Sequence, residues 1–241
     1  MTRMMQHIYT AFDFLTVTDF REGKHGGDIY PVFFPVVGLV TGLILCLVFS
    51  VFYLFFPIDI AVIFSIFAYA IFTGAKHLDD FADYIDAFLG GRNISDRQRI
   101  LDDPDAGTFA IVAIIFLLML YFKIFSLFSS DVIFSALLLM PVISRWSVLF
   151  PVYEEVRKEK RMNKFSKYDF YIATVIVAGI SSWVLGWHAL VLMVVAFMLA
   201  SVIFHKSEKI FEDGFYDILG FTIESNSILF LLGIYILSAL F

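Results

Sequence analysis

The stretch FYIATVIVAGISSWVLGWHALVLMVVAFMLASVIF, residues 170–204, decides the fold. It holds no formally charged side chain across 35 positions. One helix of that length would reach ~50 Å at ~1.5 Å per residue, well beyond the ~30 Å of hydrocarbon in a bilayer. It therefore reads as two crossings that meet near Gly186-Trp187-His188. The rest of the chain repeats the pattern. Residues 31–56 are uncharged and long enough to span. Residues 61–75 form a shorter apolar run, expected to continue into the polar helix that follows. Residues 108–128 and 132–153 flank the turn Ser129-Ser130-Asp131, and 225–241 close the chain.

Composition agrees. Of 241 residues, 60% are hydrophobic and 17% charged, and the mean hydropathy is +0.86, which excludes an ordinary soluble domain. The expected fold is all-α: a polytopic integral membrane protein of about seven transmembrane helices, forming one membrane-embedded catalytic domain over residues 1–241. Polar loops are expected at about 76–107, 154–169 and 205–224. Met5, Ile8, Phe12 and Leu15 recur at helical spacing, so residues 4–17 read as an interfacial N-terminal helix or as an ordinary packed amphipathic one. Residues 21–28 read as a Gly-rich polar loop. Cys46 is the sole cysteine, which leaves no internal disulfide and no cysteine zinc site. Residues 1–30 carry Asp13, Asp19, Glu22 and Asp28, so no cleavable signal peptide is expected and the first span must direct its own insertion. Of the 17 basic residues, all but Lys123 and Arg145 fall in the N-terminal segment and the three long loops. That bias places those loops, and the acidic clusters in them, on the cytoplasmic side. The net charge of −6 thus records where charges are tolerated, not an acidic surface field.

The chemistry-bearing stretch is Thr73-Gly-Ala-Lys-His-Leu-Asp-Asp-Phe-Ala-Asp-Tyr-Ile-Asp86. Asp79, Asp83 and Asp86 stand at i, i+4 and i+7, on one stripe of a helix, with Asp80 and His77 beside them. Like charges on a stripe repel, and a divalent cation turns that repulsion into coordination. Magnesium takes one or two carboxylates and completes its shell with water and phosphate oxygens. A solvated helix N-terminus would accept a single acid; four call for more. Asp102-Asp103-Pro104-Asp105-Ala-Gly-Thr108 either faces this cluster and completes a metal site, or caps a helix through Asp103-Pro104 or Thr108. Gly214-Phe-Tyr-Asp217-Ile-Leu-Gly220, followed by Glu224, offers a second acidic pair fit for a general base or ligand; the alternative is a loop with two glycine turns. Arg145 is an intramembrane cation and hence a functional candidate that could reach a phosphate, whereas Lys123 reads as snorkelling. Arg157, Lys158, Lys160, Arg161, Lys164 and Lys167 read as a positive-inside loop against anionic lipid, with phosphate binding second. Interleaved Glu154, Glu155 and Glu159 argue against a nucleic-acid partner.

At Thr73-Gly74, His77-Leu78-Asp79, Ala82-Asp83 and Asp86 the chain resembles the cobalamin synthase family, the adenosylcobinamide-GDP ribazoletransferases. Further matches run in order: Phe14-Leu15-Thr16, Phe34-Pro35 with Gly38, Asp103 with Gly107-Thr108, Ser144-Arg145, and Gly214, Asp217, Leu219-Gly220 and Glu224. Departures are Ala75 and Asp80 where glycines are usual, Pro104 for a serine, Asp105 for a commonly basic residue, Val17 for a proline and Ser227 for a glutamate. The resemblance implies transfer of the cobinamide phosphate from adenosylcobinamide-GDP to α-ribazole or its 5′-phosphate, with release of GMP and assistance from Mg2+. It implies metal ligands among Asp79, Asp80, Asp83 and Asp103. Asp86 and His77 are implied for catalysis. Arg145, Asp217, Glu224 and Thr108 are implied for holding phosphate or orienting the hydroxyl. The rivals are another magnesium-dependent membrane transferase, of the CDP-alcohol or prenyl type, and a divalent-cation transporter, whose site belongs near the bilayer midplane.

Overall fold

The structure is a computed structural model and describes residues 3–18, 30–159 and 165–240. The described residues contain helices and no strand. They are α1 (Arg3–Leu15), α2 (Phe34–Tyr53), α3 (Ile58–Thr73), α4 (Lys76–Gly90), α5 (Ile94–Leu101), α6 (Thr108–Leu127), α7 (Ser130–Ser147), α8 (Leu149–Glu159), α9 (Lys167–Leu185), α10 (His188–Ser207) and α11 (Phe215–Leu240). The polar stretch at 21–28 and Lys160, Arg161 and Lys164 of the basic loop lie outside the described residues.

Among the described residues, six helical segments are long and apolar enough to cross a membrane: Pro31–Tyr53, Thr108–Leu127, Ser130–Arg157, Lys167–Leu185, His188–Ser207 and Phe215–Ser238. The seventh expected span is a bent pair. α3 does not run on into the acidic helix; α4 leaves it at 88°. The cause is local. Gly74 caps α3 in the left-handed region (φ 64°) and its N–H bonds back to α3, the usual way for glycine to end a helix. Ala75 follows at φ 55°, and two such residues in succession swing the chain out of the helix axis. α4 therefore lies across the bundle. The split of the long apolar run falls at Gly186, between α9 and α10, as its length demands. α9 starts from a capping box in which Ser166 and Asp169 satisfy each other's backbone N–H groups.

The most extensive pairings are α2 with α7 and α4 with α11. α2 approaches α7 through Gly38 and Gly42: a Cβ on Gly38 would lie 2.8 Å from the Pro141 carbonyl carbon, and one on Gly42 2.9 Å from that of Leu138. Small residues four apart are how membrane helices pack backbone to backbone. α7 is the central helix, buried without interruption from Leu139 to Ser147. α1 buries Ala11 and Leu15 while Met5 stays exposed. Its C-terminal end is tied to the elbow: Val17 N–H donates to Phe72 O at 3.0 Å, and Lys76 Nζ to the carbonyls of Asp13 and Thr16 at 3.0 and 2.6 Å. The polar stretches read as loops are largely helical, since α4 and α5 occupy the first, α8 enters the second, and α11 begins ten residues before the expected last span.

Candidate active site

α4 holds the acidic stripe over the end of the bundle. His77, Leu78, Ala82, Tyr84 and Ala87 form its buried face, packed on α6 and α11, with the Tyr84 hydroxyl 2.8 Å from Ser207 Oγ. That anchoring leaves Asp79 exposed and Asp80, Asp83 and Asp86 half-buried. Burial, then the charges of Asp79, Asp217, Asp80 and Asp86, push the Asp83 carboxyl up to about 7. Burial and Asp79, partly offset by Lys76, push Asp80 up to about 7 as well. Asp217, in the first turn of α11, lies within electrostatic reach of Asp79, Asp80, Asp83 and Asp102. Four of the expected residues thus converge, joined by Asp102. That residue stood in plain view in the acidic run, but no spacing rule separated it from Asp103.

Among the described residues, no three His, Cys, Asp or Glu side chains converge closely enough to hold a metal ion unaided. The carboxylates are close enough to repel and too far apart to form a cage. One or two of them would leave the rest of a magnesium shell to water and phosphate oxygens.

Asp86 points elsewhere. Its Oδ1 accepts the N–H groups of Phe109 and Ala110 at 3.1 and 3.3 Å, so α4 caps the start of α6 from outside. Gly107, the residue before α6, offers no side-chain cap, and a Cβ there would lie 2.5 Å from Asp86 Cγ. Asp103 and Pro104 do not begin α6, which starts at Thr108. Instead, Asp103 Oδ1 accepts the Asp105 N–H at 3.0 Å in an exposed turn, and Thr108 is exposed beside it.

Arg145 and Glu224 are each fully buried. Tyr69 donates to Glu224 Oε1 at 2.7 Å and Tyr121 to Oε2. Arg145 reaches Ser144 Oγ at 3.2 Å and the Tyr69 hydroxyl at 3.5 Å, with its guanidinium 5.4 Å from the Tyr69 ring centre. Both carboxylate oxygens are engaged by tyrosines, and the network links α3, α6, α7 and α11 below the elbow. The tyrosines are residues that the sequence offered no signal to select, because they lie 103 and 155 positions from their partner. His77, on α4, is neutral: burial and Arg145 push its imidazole down to about 3, and its Nδ1 stands 3.7 Å from Asp80 Oδ2.

A sequence model described as cobalamin-5-phosphate synthase matches residues 7–235. The chain belongs to that family. Among curated relatives, the adenosylcobinamide-GDP ribazoletransferase of Clostridium perfringens (strain SM101 / Type A) is 30% identical over 202 residues, 79% of each chain. That of Desulfitobacterium hafniense (strain Y51) is 25% identical over 230 residues, 91% of this chain and 88% of the relative. That of Thermoanaerobacter sp. (strain X514) is 29% identical over 162 residues, 64% of each. The chain thus spans just under two thirds of the length of this last relative. No solved structure matches. In this cobalamin-5-phosphate synthase family member, four of the stretches that carry the resemblance meet in space. Phe14, Phe34, His77 and Gly220 line one cavity of about 170 Å³ that also takes in Asp80.

Proposed function

We propose that the protein joins adenosylcobinamide-GDP to α-ribazole, or to its 5′-phosphate, and releases GMP. The whole chain acts as one membrane-embedded catalytic unit. The observation that carries this reading is the meeting of Asp79, Asp80 and Asp83 on α4 with Asp217 on α11, beside a cavity that these two stretches line together with two further family stretches, at Phe14-Leu15 and Phe34. In the proposed reaction, the hydroxyl oxygen of the ribazole attacks the cobinamide-side phosphorus. The bond from that phosphorus to the GMP oxygen breaks, GMP leaves as the anion, and the hydroxyl proton passes to a carboxylate.

Asp79 and Asp83 are the residues that would hold Mg2+, and Asp103, in the exposed turn before α6, is the further acid that would join them. The ion would neutralise pyrophosphate charge, the largest barrier to attack by an oxygen nucleophile. Asp217 faces the stripe from the neighbouring helix and orients the attacking hydroxyl. Asp217, which is not one of those metal ligands, is placed to accept its proton. Arg145 and Glu224 act by keeping α3, α7 and α11 in register beneath α4. The distribution of lysine and arginine supports a cytoplasmic position for this end of the bundle in a prokaryotic cell, where the nucleotide would be supplied. The test is incubation of solubilised protein with adenosylcobinamide-GDP, α-ribazole and magnesium, followed by mass analysis of the corrinoid. A complete corrinoid carrying the ribazole is expected; unchanged adenosylcobinamide-GDP overturns the reading.

A further inference from the structure

The cavity between α1, α4 and α11 has a shape and lining that the reaction above does not by itself require. We propose that it is the slot for the planar, bicyclic nitrogen base of the acceptor nucleoside, and that Phe14, Phe34 and Tyr216 set acceptor specificity. This rests on the transferase reading, and it assigns one of the two substrates to a place.

Three observations carry it. The volume, about 170 Å³, lies below the ~300–1,000 Å³ of pockets for whole drug-sized ligands. A corrin ring cannot enter; one fused bicyclic ring can. The wall is aromatic: Phe14 stacks on Phe34 with centroids 5.5 Å apart and 9° between planes, and Tyr216 meets Phe14 at 5.7 Å. Such a wall favours a flat, apolar π-system. The polar edge is short. Lys76 is already engaged by two carbonyls of the α1 end, which leaves Asp80 and His77.

That short edge separates the two bases in the reaction. Guanine presents a donor and acceptor group on nearly every edge, and most would be buried unpaired against Phe14, Phe34 and Tyr216. Unpaired polar groups are what pockets reject most strongly. A benzimidazole-type base carries one free ring nitrogen once glycosylated, and Asp80 with His77 suffices for that nitrogen or for a ribose hydroxyl. His77 supports the assignment independently. It is 4% exposed and lines the cavity, and its Nε2 has no hydrogen-bond partner. The base in this slot would place its ribose toward Asp79 and Asp83, one helical turn or less along α4 from Asp80.

The test measures initial rates of GMP release by the full-length protein, varying each substrate in turn, for wild type, Phe14→Ala and Tyr216→Ala. The expected result is a rise of tenfold or more in the KM for α-ribazole with the KM for adenosylcobinamide-GDP within twofold. Free benzimidazole should inhibit wild type competitively against α-ribazole, and Phe14→Ala should blunt that inhibition. A KM change confined to the donor, or benzimidazole competing with the donor, would assign the cavity to the guanine and overturn the proposal. Unchanged KM values for both substrates would make the cavity structural or lipid-filled, and would also overturn it. Should Phe14→Ala fail to fold, the benzimidazole competition on wild type decides alone. A wild-type protein that releases no GMP at all overturns the transferase reading itself, which separates the two failures.

Discussion

Gly107→Ala is a one-methyl test of how the acidic loop is held. Gly107 sits at φ −76° and ψ 176°, extended backbone that alanine adopts without strain. The added Cβ therefore has one consequence: it would stand 2.5 Å from Asp86 Cγ and force the carboxylate out. Two hydrogen bonds to the first turn of α6 go with it, those to Phe109 and Ala110. Loss of a helix cap costs about 0.5–2 kcal/mol, and loss of an anion at a helix N-terminus about 0.3–1 kcal/mol. For a chain of this size, 1–2 kcal/mol lowers Tm by roughly 2–8 °C. Asp86→Ala should cost the same, and the double variant should cost no more than either alone, because both remove one interaction. Asp86→Asn keeps an acceptor oxygen in the same place. It should retain GMP release within about threefold, with the magnesium concentration for half-maximal rate unchanged, since capping needs the oxygen and not the charge. Thermal unfolding in detergent and GMP release measure both. A neutral Gly107→Ala, additive with Asp86→Ala, would refute the cap. So would an Asp86→Asn variant that needs far more magnesium.

Three further outcomes follow. Asp80 and Asp83 have folded-state values near 7 against 3.8 in the unfolded chain. The folded protein then holds protons that the unfolded chain has released, and stability is lost as pH rises from about 4 through 7. Tm of magnesium-free protein should fall between pH 5 and 8, and Asp83→Asn should flatten the fall; a rising Tm would contradict the shifts. Glu224→Ala strands Arg145 and two tyrosine hydroxyls in the interior, a loss of about 3–5 kcal/mol, readable as a collapse in folded yield. Normal yield would mean the network braces nothing. Ala75→Gly should stabilise by roughly 1 kcal/mol, because Ala75 pays the left-handed penalty that glycine avoids; a drop in Tm would show that its methyl packs.

Much of this architecture was legible from hydropathy. The uncharged run at 170–204 had to cross twice, and the two helices break where Gly186 stands. What hydropathy hid was everything that depends on a partner distant in sequence. Glu224 reads as a loop residue because an unpaired carboxylate is costly in a membrane. It lies inside α11 because Tyr69 and Tyr121 supply both hydrogen bonds. The elbow after α3 was masked because α4 continues a helical pattern in phase, and only the backbone at Gly74 and Ala75 reveals the turn. The stripe of Asp79, Asp83 and Asp86 was correctly placed on one helix, yet a stripe does not say what lies opposite. Opposite Asp86 lies the start of α6; opposite Asp83 lies Asp217. The contact of α2 with α7 at Gly38 and Gly42 comes from the structure, not from the sequence reading.

The central claim is that carboxylates of α4 act on a pyrophosphate. It is tested most directly by GMP release from Asp83→Asn, folded in the same detergent as wild type and supplied with both substrates and magnesium. The account predicts a loss of at least a hundredfold, with α11 and the bundle intact by thermal unfolding. Release within a few-fold of wild type from that folded variant would contradict it.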